Sequence, residues 1–145
     1  MSLEQNKAII CQFYKAYNQG NLAQAREMMS PNIVIHTMMG TVIRGSDDSL
    51  EQMQERRSIF PDICFTFEEV IAEGDKVVSR GTFTATHCGE FLGIPPTGKQ
   101  VTSSVVHVDR LEDGKIVEHW SLGDLLSVLQ QLCGEDIASL TRTCS

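Results

Sequence analysis

The sequence predicts an α+β fold, a curved antiparallel sheet curling over helices, from three observations. Between Asp75 and Asp124 three strand-like stretches follow one another, Lys76–Thr86, Val101–Leu111 and Lys115–Leu122. Asp113-Gly114 joins the last two, and Asp-Gly between alternating runs marks a tight hairpin, because both central turn positions need φ > 0. The order along the chain is helix, helix, short strand, helix, four strands in a meander and a closing helix. No βαβ repeat occurs, which favours α+β over a doubly wound sheet.

Each element has a local reason. Residues 2–18 carry Ile9, Phe13 and Tyr17 at helical spacing with Ile10 and Tyr14 beside them, an apolar stripe that must face a core. Gly20 stops this helix, and Asn21 is a suitable N-cap for a short second one running to Met29 and ended by Pro31. Residues 32–36 read as a short strand with His36 at its end, and 40–45 as a connection with some strand character. A third helix begins at Ser46, with Asp47 and Asp48 in the first turn where the macrodipole favours acids, and stops before Pro61. Residues 62–71 alternate, with Ile63, Phe65 and Phe67 on one face, and Glu73-Gly74-Asp75 turns the chain into the central strands. After Asp124, Leu125 to Leu132 form an apolar closing helix ended by Gly134. Residues 1–134 read as one domain, and 135–145 as a polar C-terminal tail with little pattern.

At 145 residues the chain is long enough to bury a real core, and 41% hydrophobic with 21% charged residues is globular rather than disordered. A net charge of −7 without a basic stripe argues against a nucleic-acid partner. No run approaches the ~18 apolar residues of a membrane span, and the polar N-terminus lacks a signal-peptide core, so no membrane partner and a cytoplasmic location are expected. Five cysteines without CxxC spacing indicate neither a zinc site nor a disulfide framework. The four histidines lie in separate segments with no HxH or HExxH, so no metal is expected.

Alternation places Ile116, Glu118, Trp120 and Leu122 on one face of the last strand, with Asp124 continuing that face. A carboxylate following a large aromatic could be desolvated, which raises its pKa as a general acid requires. Asp at a strand-to-helix junction is equally an N-cap. On the middle strand Ser103, Val105, His107 and Asp109 share a face. Arg80, mid-strand, needs a carboxylate or an anionic ligand, and a salt bridge within the sheet answers that need. Tyr14 and Tyr17 on the first helical stripe are candidate substrate contacts. Cys88 beside His87 is a conceivable nucleophile, but nothing in the sequence supplies the third, orienting group. Both faces of the last two strands carry apolar residues, so a second subunit covering the face away from the helices is expected.

Thr86-His87-Cys88-Gly89-Glu90-Phe91-Leu92-Gly93-Ile94-Pro95-Pro96-Thr97-Gly98-Lys99, with Arg80 upstream, resembles the "R…GTHxGEFxGIPPTGK" run of SnoaL-like polyketide cyclases. Asp113 to Trp120, then Asp124 and Leu129-Gln130-Gln131-Leu132, resembles the same family's "DGKIVExWxxxD…LxQQL" ending. The resemblance is close over the C-terminal half and loose over the N-terminal half. It implies a nuclear-transport-factor-two-like cone with a deep pocket, a homodimer, and intramolecular aldol closure of polyketide esters without cofactor or metal. It also implies that Asp124, four residues after Trp120, is the acid/base group. His107 and His36 are then secondary catalytic candidates; Trp120, Arg80 and His87 match family positions as substrate-binding candidates, and their places in the chain read as pocket wall, structural and loop respectively. The expected partner is a small apolar carbonyl-containing molecule. The alternative is a non-enzymatic small-molecule-binding dimer in which Asp124 only caps a helix.

Overall fold

The structure, a computed structural model, describes residues 2–134; the expected polar tail lies outside the described residues. The elements are α1 (Leu3–Asn18), α2 (Leu22–Met28), β1 (Met29–His36), β2 (Val42–Arg44), α3 (Ser46–Ile59), β3 (Cys64–Glu73), β4 (Lys76–Thr86), β5 (Gln100–Glu112), β6 (Lys115–Gly123) and α4 (Leu125–Cys133). The fold is α+β, as the sequence predicts. One six-stranded sheet runs β2-β1-β6-β5-β4-β3.

The sheet is antiparallel except where β1 pairs with β6 in parallel, through Ile35 opposite His119 and His36 opposite Trp120. That exception follows from topology. The central meander ends on β6, and the N-terminal hairpin β1–β2 closes onto its free edge. β1 begins at Met29, ahead of Pro31, so the second helix ends before the proline rather than at it.

Local chemistry explains the ends. Ser2 and Gln5 form a reciprocal capping box on α1, and Asn21 caps α2 through the backbone N–H of Gln24. The β5–β6 turn carries Asp113 at φ +50° and Gly114 at φ +77°, the paired positive values that the Asp-Gly signal requires. Gly81 has a different reason to be glycine: a Cβ there would stand 1.9 Å from the Thr66 carbonyl oxygen, beside the irregularity where Phe67 faces Gly81 and Glu69 faces Arg80.

Helix α1 lies against the concave face of the sheet and buries Ile10, Phe13, Tyr14, Ala16 and Tyr17 there. The inward residues of β5 alternate without a break from Val101 to Leu111. A second irregularity, between Arg110 and Leu111, leaves Leu111 opposite Ile116 but Arg110 opposite Glu118, so Val117 is the extra residue. It reverses the alternation of β6, so that Ile116, His119 and Ser121 all line the interior while Glu118 and Trp120 turn outward.

Candidate active site

The sheet and helices enclose a cavity of about 410 Å³, within the range of about 300–1,000 Å³ usual for small-molecule sites. Aromatic and aliphatic side chains form most of its wall, with α1, β1 and α3 each contributing several residues. Phe91 and Leu92, from the loop between β4 and β5, stand with Met38 and Met39 on its lining. The polar groups on the wall are few, and four of them are connected.

At the centre is Asp109, fully buried on β5. Its carboxylate accepts from Tyr14 Oη on α1 (3.1 Å) at one oxygen and from His119 Nδ1 on β6 (2.7 Å) at the other. Because the Tyr14 hydroxyl proton goes to Asp109, His107 Nδ1 donates to the Tyr14 oxygen at 2.7 Å. The chain His107–Tyr14–Asp109–His119 therefore fixes both imidazoles with their Nδ1 bonded, while neither Nε2 has a protein partner among the described residues. The two rings meet edge to face, 4.9 Å between centroids, and all four residues line the cavity.

Electrostatics follow from burial. His107 is 4% exposed, and its pKa lies well below the usual 6.5, first because burial disfavours the charged ring, then because His119 and Arg56 repel a proton there. Tyr14 is held well above the usual 10.0, by burial and then by the negative charge of Asp109 beside it. Tyr14 therefore stays a hydroxyl donor and His107 a neutral ring. Such a site suits proton transfer by His119, oriented by a carboxylate, in largely apolar surroundings.

The sequence-predicted residues fall into two groups. His107, Tyr14 and Tyr17 lie on the cavity wall. Asp124 does not: it is exposed, and its carboxylate caps α4 by accepting from the Ser127 backbone N–H at 3.0 Å. The expectation of a desolvated acid at that position is thereby corrected, because the strand end reaches the surface before the helix starts. His36 and Trp120 stack on the outer face of the sheet, 5.2 Å between centroids and 7° between planes, and His36 Nε2 lies 2.7 Å from Glu118. Trp120 is therefore no pocket wall, for the extra residue at Val117 turns it away. Arg80 is a surface residue paired with Glu69 and, at 3.5 Å, Glu68, the salt bridge within the sheet that its position calls for. His87 is fully buried under the β4–β5 loop, where its Nδ1 accepts from the Thr97 backbone N–H at 3.2 Å. It holds that loop and is not among the residues lining the cavity.

Asp109 and His119, which line the cavity, are candidate site residues that the sequence alone did not single out. Among the described residues no group of three or more His, Cys, Asp or Glu is arranged to hold a metal, and no helix is long and apolar enough to cross a membrane.

A curved sheet closed over a largely apolar cavity, with a buried chain of hydrogen-bonded titratable groups on its wall, is the architecture of a small-molecule site, and similarity to known proteins narrows it. The family model for SnoaL-like polyketide cyclases matches residues 8–132, and the chain belongs to that family. It is similar to nogalonic acid methyl ester cyclase of Streptomyces nogalater, 32% identical over 72 residues, a match spanning 45% of this chain and 54% of that protein. Aklanonic acid methyl ester cyclase DnrD of Streptomyces peucetius is 24% identical over 130 residues, covering 86% of this chain and 88% of DnrD. Among solved structures, AclR of Streptomyces galilaeus, described as a proposed hydroxylase, superposes with a TM-score of 0.80 at 34% identity over 90% of this chain and 97% of AclR. IdmH of Streptomyces antibioticus, described as a proposed polyketide cyclase, does so with 0.78 at 34% over 88% of this chain and 98% of IdmH.

Proposed function

We propose that this chain is a cofactor-free acid/base enzyme that closes a ring in a small polyketide carbonyl compound by an intramolecular aldol step. The observation that carries the reading is the buried Asp109 carboxylate holding His119 Nδ1 at 2.7 Å on the cavity wall. His107 and His119 both present an Nε2 lone pair, but burial disfavours a proton on His107, whereas the Asp109 carboxylate at His119 Nδ1 stabilises the imidazolium, so His119 Nε2 serves as the base. It removes a proton α to a carbonyl, and the enolate carbon attacks a second carbonyl of the same molecule. The imidazolium, stabilised by Asp109, then returns the proton to the new alkoxide. One C–H bond breaks, one C–C bond and one O–H bond form, and the product has the composition of the substrate. Tyr14 and His107 are positioning residues: their hydrogen bonds hold Asp109 in its acceptor role.

The names of two relatives supply the test substrates, aklanonic acid and nogalonic acid, each offered as the methyl ester and as the free acid. Incubation with the protein is expected to give a product of unchanged mass and altered retention, lost in His119→Gln. Tight binding of both compounds with no conversion of either would instead favour the non-enzymatic binding module. The reading also includes a homodimer joined through the outer face of the sheet, supported by Leu122, 64% exposed, next to the Trp120–His36 stack. Sedimentation at micromolar concentration is expected to give a dimer. A cytoplasmic location is supported by the free thiols of Cys11, Cys64, Cys88 and Cys133, which suit a reducing compartment.

A further inference from the structure

Arg56 and Arg57 are neighbours on α3 with different situations. Arg57 is tied to the protein: its Nη1 donates to the Tyr17 carbonyl oxygen at 3.0 Å, its Nη2 reaches the Pro61 carbonyl, and its guanidinium lies 5.7 Å from the Tyr17 ring centroid. Arg56 lines the cavity. The one hydrogen bond of its guanidinium among the described residues is a long contact of 3.4 Å from Nη1 to the Tyr17 hydroxyl.

Arg56 is the only Lys or Arg among the residues lining the cavity. Glu55 and Glu90 also line it, yet no carboxylate forms an ion pair with Arg56 among the described residues. Inside, His107 is kept neutral by burial, and Asp109 is engaged by Tyr14 and His119. A half-buried arginine whose guanidinium has one weak partner is costly where apolar groups surround it. The cost falls when an oxyanion arrives, because the planar fork of Arg matches a carboxylate through two parallel N–H···O bonds. On a chain of net charge −7, which repels anions at long range, a lone cation inside the cavity acts as a local selector.

We propose that Arg56 determines specificity: it holds a carboxylate on the substrate, so that this site prefers a free polyketide acid to the neutral ester. The assignment rests on the cavity being the substrate site, and it requires no particular reaction there. It also gives the substrate a direction, with the anionic end at α3 and the reacting carbons toward β5 and β6.

Binding tests this apart from catalysis. An anthraquinone carboxylate and the methyl ester of the same acid are titrated calorimetrically into the wild type, Arg56→Gln and Arg56→Lys, at neutral pH and low salt. The wild type is expected to bind the acid about tenfold or more tightly than the ester, the size of effect that a hydrogen-bonded charge pair gives. Arg56→Gln is expected to bind both equally, with ester affinity unchanged, which also shows that its cavity is intact. Arg56→Lys is expected to retain part of the preference. Equal binding of acid and ester by the wild type, binding of neither, or a preference surviving in Arg56→Gln would overturn the proposal. Asp109→Asn, which is expected to lose turnover, should keep the full acid preference, so failure of the aldol reading and failure of this one give different results.

Discussion

Strand β6 carries two histidine–carboxylate pairs of the same length on opposite faces of the sheet. On the inside, His119 Nδ1 meets Asp109 at 2.7 Å; on the outside, His36 Nε2 meets Glu118 at 2.7 Å across the β1–β6 pairing. The distances do not distinguish them, but burial does. The Asp109 and His119 side chains are 1% and 14% exposed, against 23% for Glu118 and 36% for His36. Water screens the outer pair, Arg110 shares its carboxylate at 3.3 Å, and neither His36 nor Glu118 lines the cavity. The inner pair faces an enclosed apolar space, where an oriented base is effective and a substrate has room. Contact geometry alone is thus a poor guide to chemistry. A pair of this kind becomes an active site where it lines a space that water leaves.

The largest contrast to expect is catalytic. Asp109→Asn should lower kcat/KM in the cyclisation assay by about 10²–10⁴-fold, the usual contribution of a positioned acid/base system, while Glu118→Gln leaves it unchanged. A matching near-ultraviolet circular dichroism spectrum checks that Asp109→Asn is folded. Equal losses in the two variants would break the contrast between the faces.

Next in size is Tyr14→Phe. It removes the hydroxyl that bridges Asp109 and His107 and leaves a buried acceptor and a buried donor without partners, which should cost about 1–3 kcal/mol in urea denaturation. The outer pair, being partly exposed, should contribute less than about 1 kcal/mol when His36→Gln is measured in the same way.

The pH dependence of stability sharpens the comparison further. His107 has a native pKa depressed below 6.5, so its neutral ring costs nothing above that value. As pH falls below about 6.5 the unfolded chain takes up a proton that the native site refuses, and stability declines toward the native pKa. The outer pair behaves differently. Glu118 is held below its usual 4.5, first by its hydrogen bond with His36, so the stability it adds is present above about 4.5 and is lost only as pH falls further. The fall in Tm between about pH 6.5 and 5 should therefore flatten in His107→Gln and persist in Glu118→Gln.

The smallest expected effect belongs to Asp124→Ala, which removes the N-cap of α4. A loss of about 1 kcal/mol, with activity within twofold of the parent, is the expected outcome.

The fold was legible because strong local signals agree. The Asp113-Gly114 turn, the stripe on α1 and the alternation of β5 each place their elements within a residue or two of where they lie. The site was less legible because one extra residue, Val117, carries no signal of its own. An uninterrupted hairpin from Glu112 and Lys115 sets Asp109 opposite Glu118 and turns Trp120 and Ile116 to the same side. The signal that could have exposed the irregularity is electrostatic. Two carboxylates directly opposed across a sheet repel, and a shift of one residue brings His119 opposite Asp109 and Glu118 opposite Arg110, which replaces one repulsive pairing with two favourable ones. Asp124 drew attention through its place after Trp120 and through the family resemblance, and neither says how far the strand end reaches from the cavity. Arg56 is invisible in sequence for another reason: only packing distinguishes it from Arg57.

Proton abstraction itself is the most direct readout. Solvent deuterium entering the α-carbon of aklanonic acid, offered as the methyl ester and as the free acid and followed by mass spectrometry, needs no ring closure to be observed. The parent and Asp124→Asn should incorporate deuterium at the same rate, and Asp109→Asn should fall at least about 100-fold behind. Exchange that survives in Asp109→Asn but disappears in Asp124→Asn would contradict the account and return the proton chemistry to the strand end.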